Sequence, residues 1–341
     1  MDAMHLALLY DQLDDQSVQC RLCAHRCIIR NGRVGLCRVR ENREGELYTH
    51  VYGNLISQAV DPIEKKPLYH FLPGSKAYSI ATPGCNFRCE WCQNWQISQF
   101  PEGSQLSGLE VVPPKAIVTE AKRYGCESIA YTYTEPTIFF EYVRDVALIA
   151  QREGIQNILV TNGFMTPEML ALAEPLIDAA NVDIKAFRDE TYRRLMGGRL
   201  DPVLESCRWM KEAGIWLEIT TLIIPGINDD AEELGALADF IVTELGPDTP
   251  WHLSRFYPQY RMKDRMPTNE NILQEALAIG KAAGLDYIYL GNVGGVAETV
   301  CKQCRRPLIR RYGYATQVVD LNNQGQCKYC GTPLDGVFRA K

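Results

Sequence analysis

The sequence predicts an α/β fold: a partial (β/α) TIM-type barrel of about six or seven parallel strands, with a cysteine-rich amino-terminal segment and a zinc-ribbon-like carboxyl-terminal segment. Three observations predict it. Between residues 76 and 290, short runs rich in Ile, Val, Tyr, Thr and Trp alternate with longer helical patterns. A strand–helix unit repeated at this length implies parallel strands joined by right-handed crossovers. The glycine fingerprint of a dinucleotide fold and the phosphate loop of nucleotide hydrolases are both missing, which favours a barrel over a doubly wound sheet.

In chain order, strands are expected at 77–81, 128–132, 157–161, 182–186, 216–223, 251–256 and 287–290. Pro113 and Pro114 open a helix over 115–123, which Gly125 closes. Pro136 opens the next, through Glu153, and Pro202 another, to Ala213, each with a glycine directly behind it. Asn228 or Asp229 caps a helix that runs to Leu245 and stops at Gly246. The expected organisation is an amino-terminal metal-binding segment (1–75), the barrel (76–295) and a carboxyl-terminal ribbon (296–341). In such a barrel the chemistry sits on the loops at the carboxyl ends of the strands.

Composition narrows the class. The 341 residues are 46% hydrophobic and 23% charged, as in an ordinary globular protein. A net charge of -6 gives no basic footprint for nucleic acid and no polybasic patch for a membrane. No apolar segment is long enough to cross a bilayer. The first 19 residues lack a basic region followed by an apolar core, so the expected compartment is the cytoplasm. Thiols stay reduced there, and eleven of the thirteen cysteines fall into three tight groups, which points to metal. Cys126 and Cys207 stand alone and read as small buried hydrophobes.

The central group follows the first barrel strand as Cys85-Asn86-Phe87-Arg88-Cys89-Glu90-Trp91-Cys92. Three thiolates at this spacing hold three corners of a cubane, and no fourth cysteine follows nearby. The fourth iron is then open to a ligand, whereas four thiolates would make an electron carrier only. Zinc would want a fourth ligand, and the loop contains no His. C-x3-C-x2-C with an aromatic residue before the last cysteine, at the end of a first β/α strand, resembles the radical S-adenosylmethionine (SAM) signature. That resemblance implies a [4Fe–4S] cluster whose open iron chelates SAM. An electron from the cluster cleaves the sulfonium and yields a 5′-deoxyadenosyl radical.

It also implies SAM contacts at later strand ends. Tyr133-Thr134-Glu135-Pro136 stands where related enzymes often have Gly-Gly-Glu, and Glu135 supplies the anionic acceptor for the methionyl amino group. Thr134 belongs to the same turn. Asn162, in Thr161-Asn162-Gly163, suits the ribose. Asp183-Ile184-Lys185 is similar to the Asp-Leu-Lys of glycyl-radical activating enzymes, which assigns Asp183 to the amino group and Lys185 to the carboxylate. Two residues apart on a strand, they point the same way. A zwitterion satisfies both charges, although they could equally satisfy each other. His252 is a candidate for the ribose or adenine, or a hydrogen-bonded core residue. Phe87 and Trp91 could flank the adenine or simply pack, and Gln93 follows the third cysteine.

Two further quartets flank the barrel. Cys301, Cys304, Cys327 and Cys330 form paired knuckles that suit structural zinc, and iron uses the same ligands. The turns Arg305-Arg306-Pro307 and Gly331-Thr332-Pro333 are expected to aim backbone N–H groups at the sulfurs. A closed site of this kind serves folding or docking, with the radical step unaffected unless the segment packs over the barrel mouth. Cys20, Cys23, Cys27 and Cys37 form a second quartet, zinc or iron–sulfur.

With the connector Asp61-Pro-Ile-Glu-Lys-Lys-Pro-Leu-Tyr-His-Phe-Leu-Pro-Gly-Ser75, the chain resembles over nearly its whole length the AmmeMemoRadiSam-system radical SAM enzymes, relatives of pyruvate formate-lyase activating enzyme. It departs from the activating enzymes at Gln93, where they usually carry His. The resemblance implies an electron donor such as flavodoxin or ferredoxin, and AMMECR1-like and Memo-like companions. The other readings are a glycyl-radical activase and, from a different class, a non-catalytic electron-transfer or zinc adaptor.

Overall fold

The computed structural model describes residues 4–99 and 110–338. Residues 1–3 and 339–341, which end the two flanking segments of the expected organisation, lie outside them, as do residues 100–109.

Eight strands build the main sheet: β1 (Ser57–Pro62), β2 (Lys76–Ala81), β3 (Ser128–Tyr131), β4 (Gln156–Thr161), β5 (Ala179–Asp183), β6 (Trp216–Ile223), β7 (Trp251–Arg255) and β8 (Ile288–Gly291). They lie side by side in sequence order. β2 to β8 run parallel, and β1 is antiparallel to β2 with Ser57 opposite Ala81. No pairing joins the edge strands β1 and β8 among the described residues, so the barrel stays open along that seam.

Strand β1 is missing from the sequence-based expectation because Ser57-Gln58-Ala59-Val60-Asp61-Pro62 carries a single β-branched residue and ends in proline. Strand β5 begins three residues before the expected 182 and ends at Asp183. Ala179-Ala180-Asn181 has weak strand propensity and is held by pairing with β4 and β6 on both sides.

The crossover helices are α1 (Pro114–Arg123), α2 (Phe140–Arg152), α3 (Pro167–Ala173), α4 (Asp189–Leu195), α5 (Asp201–Glu212), α6 (Ala231–Phe240) and α7 (Glu270–Ala283). Pro136 opens a short 3-10 turn (Pro136–Phe139) before α2, and α6 continues through a π turn (Ile241–Leu245) to Gly246. Buried Val143, Val146, Ala147 and Ala150 show why α2 docks: they repeat at helical spacing and make one apolar stripe against the sheet. Asp230 caps α6 by accepting from Glu233 N, one residue past the expected cap.

Two small sheets precede the barrel, one from Tyr10–Gln12, Val18–Cys20 and Ile28–Ile29, the other from His5–Leu6, Arg40–Arg43 and Glu46–Thr49. The ribbon follows it as β9 (Val296–Val300), β10 (Pro307–Tyr312) and β11 (Ala315–Val318). Leu308, Ile309, Leu321 and Leu334 of the ribbon pack on Tyr287 and Tyr289, so the ribbon lies beside β8, at the open seam. Among the described residues no helix is long and apolar enough to cross a membrane.

Candidate active site

Cys85, Cys89 and Cys92 sit on the loop that leaves β2, and Gly84 sets its direction. Its φ is +102°, and a Cβ there would stand 2.8 Å from Val39 Cγ1 and 3.0 Å from Ile138 Cδ1, so only glycine fits. Backbone bonds then fasten the loop to its surroundings: Gly84 N to Ile97 O (2.9 Å) and Arg88 N to Met196 O (2.9 Å). Asn94 Nδ2 donates to Tyr133 O (2.8 Å), tying this loop to the next strand end. Polar groups face the sulfurs. Phe87 N donates to Cys85 Sγ at 3.4 Å, and Ser98 Oγ lies 3.2 Å from Cys92 Sγ.

The three sulfurs open onto one cavity of about 520 Å³ at the carboxyl ends of the strands. Trp91 and Gln93 line it from the same loop, Thr134 and Glu135 from the end of β3, and Asn162 from the end of β4. Asp183 at the end of β5, Lys185 just past it and His252 of β7 line it as well. Phe87 reaches the wall but is buried between Phe164 and Tyr192, and a Cβ at Gly198 would overlap its ring, so Phe87 packs the loop in place.

Glu135 spends most of its acceptor capacity on the protein. Oε1 accepts from Thr137 N (3.1 Å), Thr137 Oγ1 (2.6 Å) and Thr161 Oγ1 (2.6 Å), and Oε2 accepts from Asn162 N (2.8 Å). Burial pushes its carboxyl above the ordinary value, against the pull of these bonds. One lone pair on Oε2 remains for a ligand. Tyr133 takes the left-handed conformation (φ +63°) that a glycine would adopt without strain. Its hydroxyl donates to Asp61, and Lys66 Nζ lies 4.4 Å over its ring, which hold it there.

Lys185 lies two residues beyond Asp183, just past the end of β5; both face the cavity while Ile184 between them is buried, and they form an ion pair at 2.8 Å. Burial opposes the lysine's charge, but Asp183 and Cys89 beside it raise its pKa above the ordinary range. His252 is fixed from below. Its Nε2–H donates to Glu218 Oε2 (2.7 Å), and Glu218, fully buried, also accepts from Tyr69 N, His70 N and Trp216 Nε1. Burial raises the Glu218 pKa, but these partners win and hold it below the ordinary value.

The sequence reading did not find Glu218, or the group beneath Tyr133. There Asp61 Oδ2 accepts from Lys66 Nζ (2.6 Å) and Ser79 Oγ (2.8 Å), and Lys65 reaches Oδ1 (2.8 Å). Burial lowers Lys66 to about 8, partly offset by Asp61. The doubled lysine of the connector was the available signal; its contacts with Asp61 and Tyr133 at the cavity wall are visible only in the fold.

The sequence pattern of the radical SAM superfamily matches residues 79–241, the stretch that carries the three cysteines and the ends of β3 to β5. An uncharacterised protein of Methanocaldococcus jannaschii is 44% identical over 98% of this chain and 100% of its own length. The chain belongs to the radical SAM superfamily. A GTP 3′,8-cyclase of Limosilactobacillus fermentum is 26% identical over 68% of this chain and 75% of its own. The Escherichia coli pyruvate formate-lyase 1-activating enzyme is 26% identical over 46% of this chain and 65% of its own. Among solved structures, a radical SAM methyltransferase from Sphaerobacter thermophilus superposes with a TM-score of 0.50 at 18% identity, covering 64% of this chain and 67% of that one. That likeness concerns the fold.

The superfamily implies SAM and a [4Fe–4S] cluster, and the residues present fit both. Three thiols open into one cavity in which, among the described residues, no fourth cysteine stands, leaving one iron for a ligand. A cation and an anion, Lys185 and Asp183, line the same cavity.

The ribbon site is of another kind. Its four sulfurs all lie within 4.8 Å of one another, with Cys301–Cys330 at 3.5 Å and Cys304–Cys327 at 3.6 Å. Four bonds of roughly 2.3 Å to one tetrahedral ion set sulfurs roughly 3.8 Å apart, so the knuckles suit a single metal. The Arg306 and Thr332 N–H groups face the Cys304 and Cys330 sulfurs. The ribbon also reaches the barrel mouth: Tyr314 lines the cavity, and buried Arg311 donates to Tyr69 O and to Thr299 Oγ1 (2.9 Å). It is therefore joined to the connector that forms part of the cavity wall.

Proposed function

We propose that this chain is a SAM-cleaving enzyme in which Cys85, Cys89 and Cys92 hold the [4Fe–4S] cluster and the cavity residues hold SAM. The cluster, when bound, supplies the electron that breaks a carbon–sulfur bond of SAM and releases a 5′-deoxyadenosyl radical. Lys185 binds the methionyl carboxylate, exchanging part of its ion pair with Asp183 for a ligand that offers both charges. Asp183 and the free lone pair of Glu135 take the amino group. Asn162 and His252 orient the ribose and adenine, with His252 held in one tautomer by Glu218. Trp91 and Gln93 close the cluster side, and Thr134 braces the turn through its bond to Thr82 O (2.8 Å). The ribbon quartet holds zinc and keeps the mouth in shape.

The observation that carries this reading is the meeting of three thiols and a complementary charge pair on one cavity. The radical's substrate is drawn from a partner system of the AmmeMemoRadiSam type, with an AMMECR1-like or Memo-like protein as companion and a flavodoxin or ferredoxin as donor. Anaerobic reconstitution with iron and sulfide, reduction with dithionite and detection of 5′-deoxyadenosine test it. The expected result is product from the wild type and none from Cys89→Ala. An intact cluster without product would leave the adaptor reading in place. Similarity to an activating enzyme supports a second reading, a glycyl-radical activase, which predicts a glycyl EPR doublet on an added partner protein.

A further inference from the structure

We propose that Cys20, Cys23, Cys27 and Cys37 bind a second [4Fe–4S] cluster, with Arg40 donating to it through Nε. The four thiols line one small cavity whose remaining walls include Leu22, His25, Ile29 and Ile138, so its lining is mainly apolar. The fold assembles it locally: Cys20 N bonds Cys27 O (2.9 Å), and a tight turn, Arg38 N to Gly35 O (2.9 Å), returns Cys37 to the others.

The spacing of the sulfurs separates a cluster from a single ion. In the ribbon all four lie within 4.8 Å of one another, and the amino-terminal quartet does not form such a close group. One tetrahedral ion draws its thiolates together, while a cubane places each thiolate on a different iron and holds them farther apart. Four thiols that share one cavity without forming a close group like the ribbon's match the cubane.

Arg40 is the second observation. It is 2% exposed, lines the same cavity, and uses Nη1 on Glu141 (2.8 Å) and Nη2 on Leu8 O (2.7 Å). Its buried Nε–H has no partner. An unpaired buried donor is costly, and a cluster or thiolate sulfur satisfies it.

The position gives the cluster a task, which rests on the proposed SAM chemistry. Cys37 O stands 3.2 Å from where a Cβ on Gly84 would be, and His25 Nε2 meets Asn86 O at 2.8 Å. The site thus backs directly on the loop that carries Cys85. One electron from a reduced flavodoxin- or ferredoxin-type protein reduces the second cluster. That cluster is reoxidised as the radical cluster is reduced, and no bond is made or broken.

The full chain carrying Cys85→Ala, Cys89→Ala and Cys92→Ala, reconstituted anaerobically with ferrous iron and sulfide in the presence of zinc, tests the site without any SAM chemistry. The expected result is about four iron and four sulfide per chain beyond the ribbon metal, and a [4Fe–4S] EPR signal on reduction. One zinc at the quartet and no sulfide would overturn the proposal. Arg40→Lys keeps the charge beside Glu141 and removes the Nε donor. It should lower the reduction potential of the second cluster, and an unchanged potential would remove Arg40 from the site. In the chain with Cys85, Cys89 and Cys92 intact, Cys37→Ser should slow reduction of the radical cluster by flavodoxin hydroquinone at least tenfold, read by EPR. An unchanged rate would refute the relay but leave the cluster.

Discussion

Replacing Gly84 by Ala would add a single methyl where the amino-terminal segment, the 3-10 turn before α2 and the cluster loop converge. Two costs follow from the geometry. A φ of +102° is outside the range of L-residues, which costs about 1–3 kcal/mol. The new Cβ also meets Val39 Cγ1 at 2.8 Å, Ile138 Cδ1 at 3.0 Å and Cys37 O at 3.2 Å. Val39 and Ile138 are buried and cannot retreat into solvent, so overpacking adds about 1–3 kcal/mol. Together the loss is about 2–6 kcal/mol, read from the urea midpoint of the anaerobic protein by tryptophan fluorescence. Val39→Ala removes the nearest methyl contact but leaves the backbone strain. The double variant should therefore be more stable than the sum of the two singles, by about 1 kcal/mol or more. A loss under about 0.5 kcal/mol for Gly84→Ala, or strict additivity in the cycle, would refute this account of the loop.

Other perturbations test other parts of the molecule. Lys185→Ala removes a charge-assisted bond worth about 1.5–3 kcal/mol to a carboxylate, so SAM should bind about 10- to 100-fold more weakly by equilibrium dialysis while iron content is kept. An unchanged affinity would return Lys185 to its ion pair alone. His70 is buried, with Nδ1–H donating to Asp335 O and Nε2 accepting from Tyr289 OH, and burial lowers its pKa to about 4. Below about pH 6.5 the unfolded chain takes up this proton and the folded one does not. About 3 kcal/mol should therefore be lost as pH falls from 6.5 to 4, and His70→Asn should flatten that slope in urea melts. Cys301→Ser should abolish the ribbon metal and, with it, amide-exchange protection at Leu308 and Ile309. A structural ion in such a site contributes on the order of 10 kcal/mol to folding. Full protection would show that packing alone holds the ribbon.

The β/α alternation was legible because buried parallel strands are rich in apolar and β-branched residues, and 216–223, although it carries Glu218, is both the expected and the observed β6. Where the residues were neutral, as in Ser57–Pro62 and Ala179–Asn181, neighbours already in the sheet impose the strand, and no local pattern records that. Cys85, Cys89 and Cys92 stood out because closely spaced thiols have few uses besides metal, and the fold puts all three on one cavity.

The charge pair shows the boundary well. Asp183 and Lys185 face one cavity, as two residues of i, i+2 spacing can, but that they pair with each other at 2.8 Å is visible only in the fold. Sequence alone singled out the three cysteine groups and the Asp183/Lys185 pair, because their signal lies in side-chain type and local spacing. The tertiary structure decided what stands against what. It puts Glu218 under His252, Lys66 against Tyr133 and Asp61, Arg40 beside the amino-terminal quartet, and Tyr314 at the cavity mouth. Apart from Lys66 with Asp61 and Arg40 with Cys37, these contacts join segments tens to hundreds of residues apart, where burial and hydrogen bonding are properties of the closed fold.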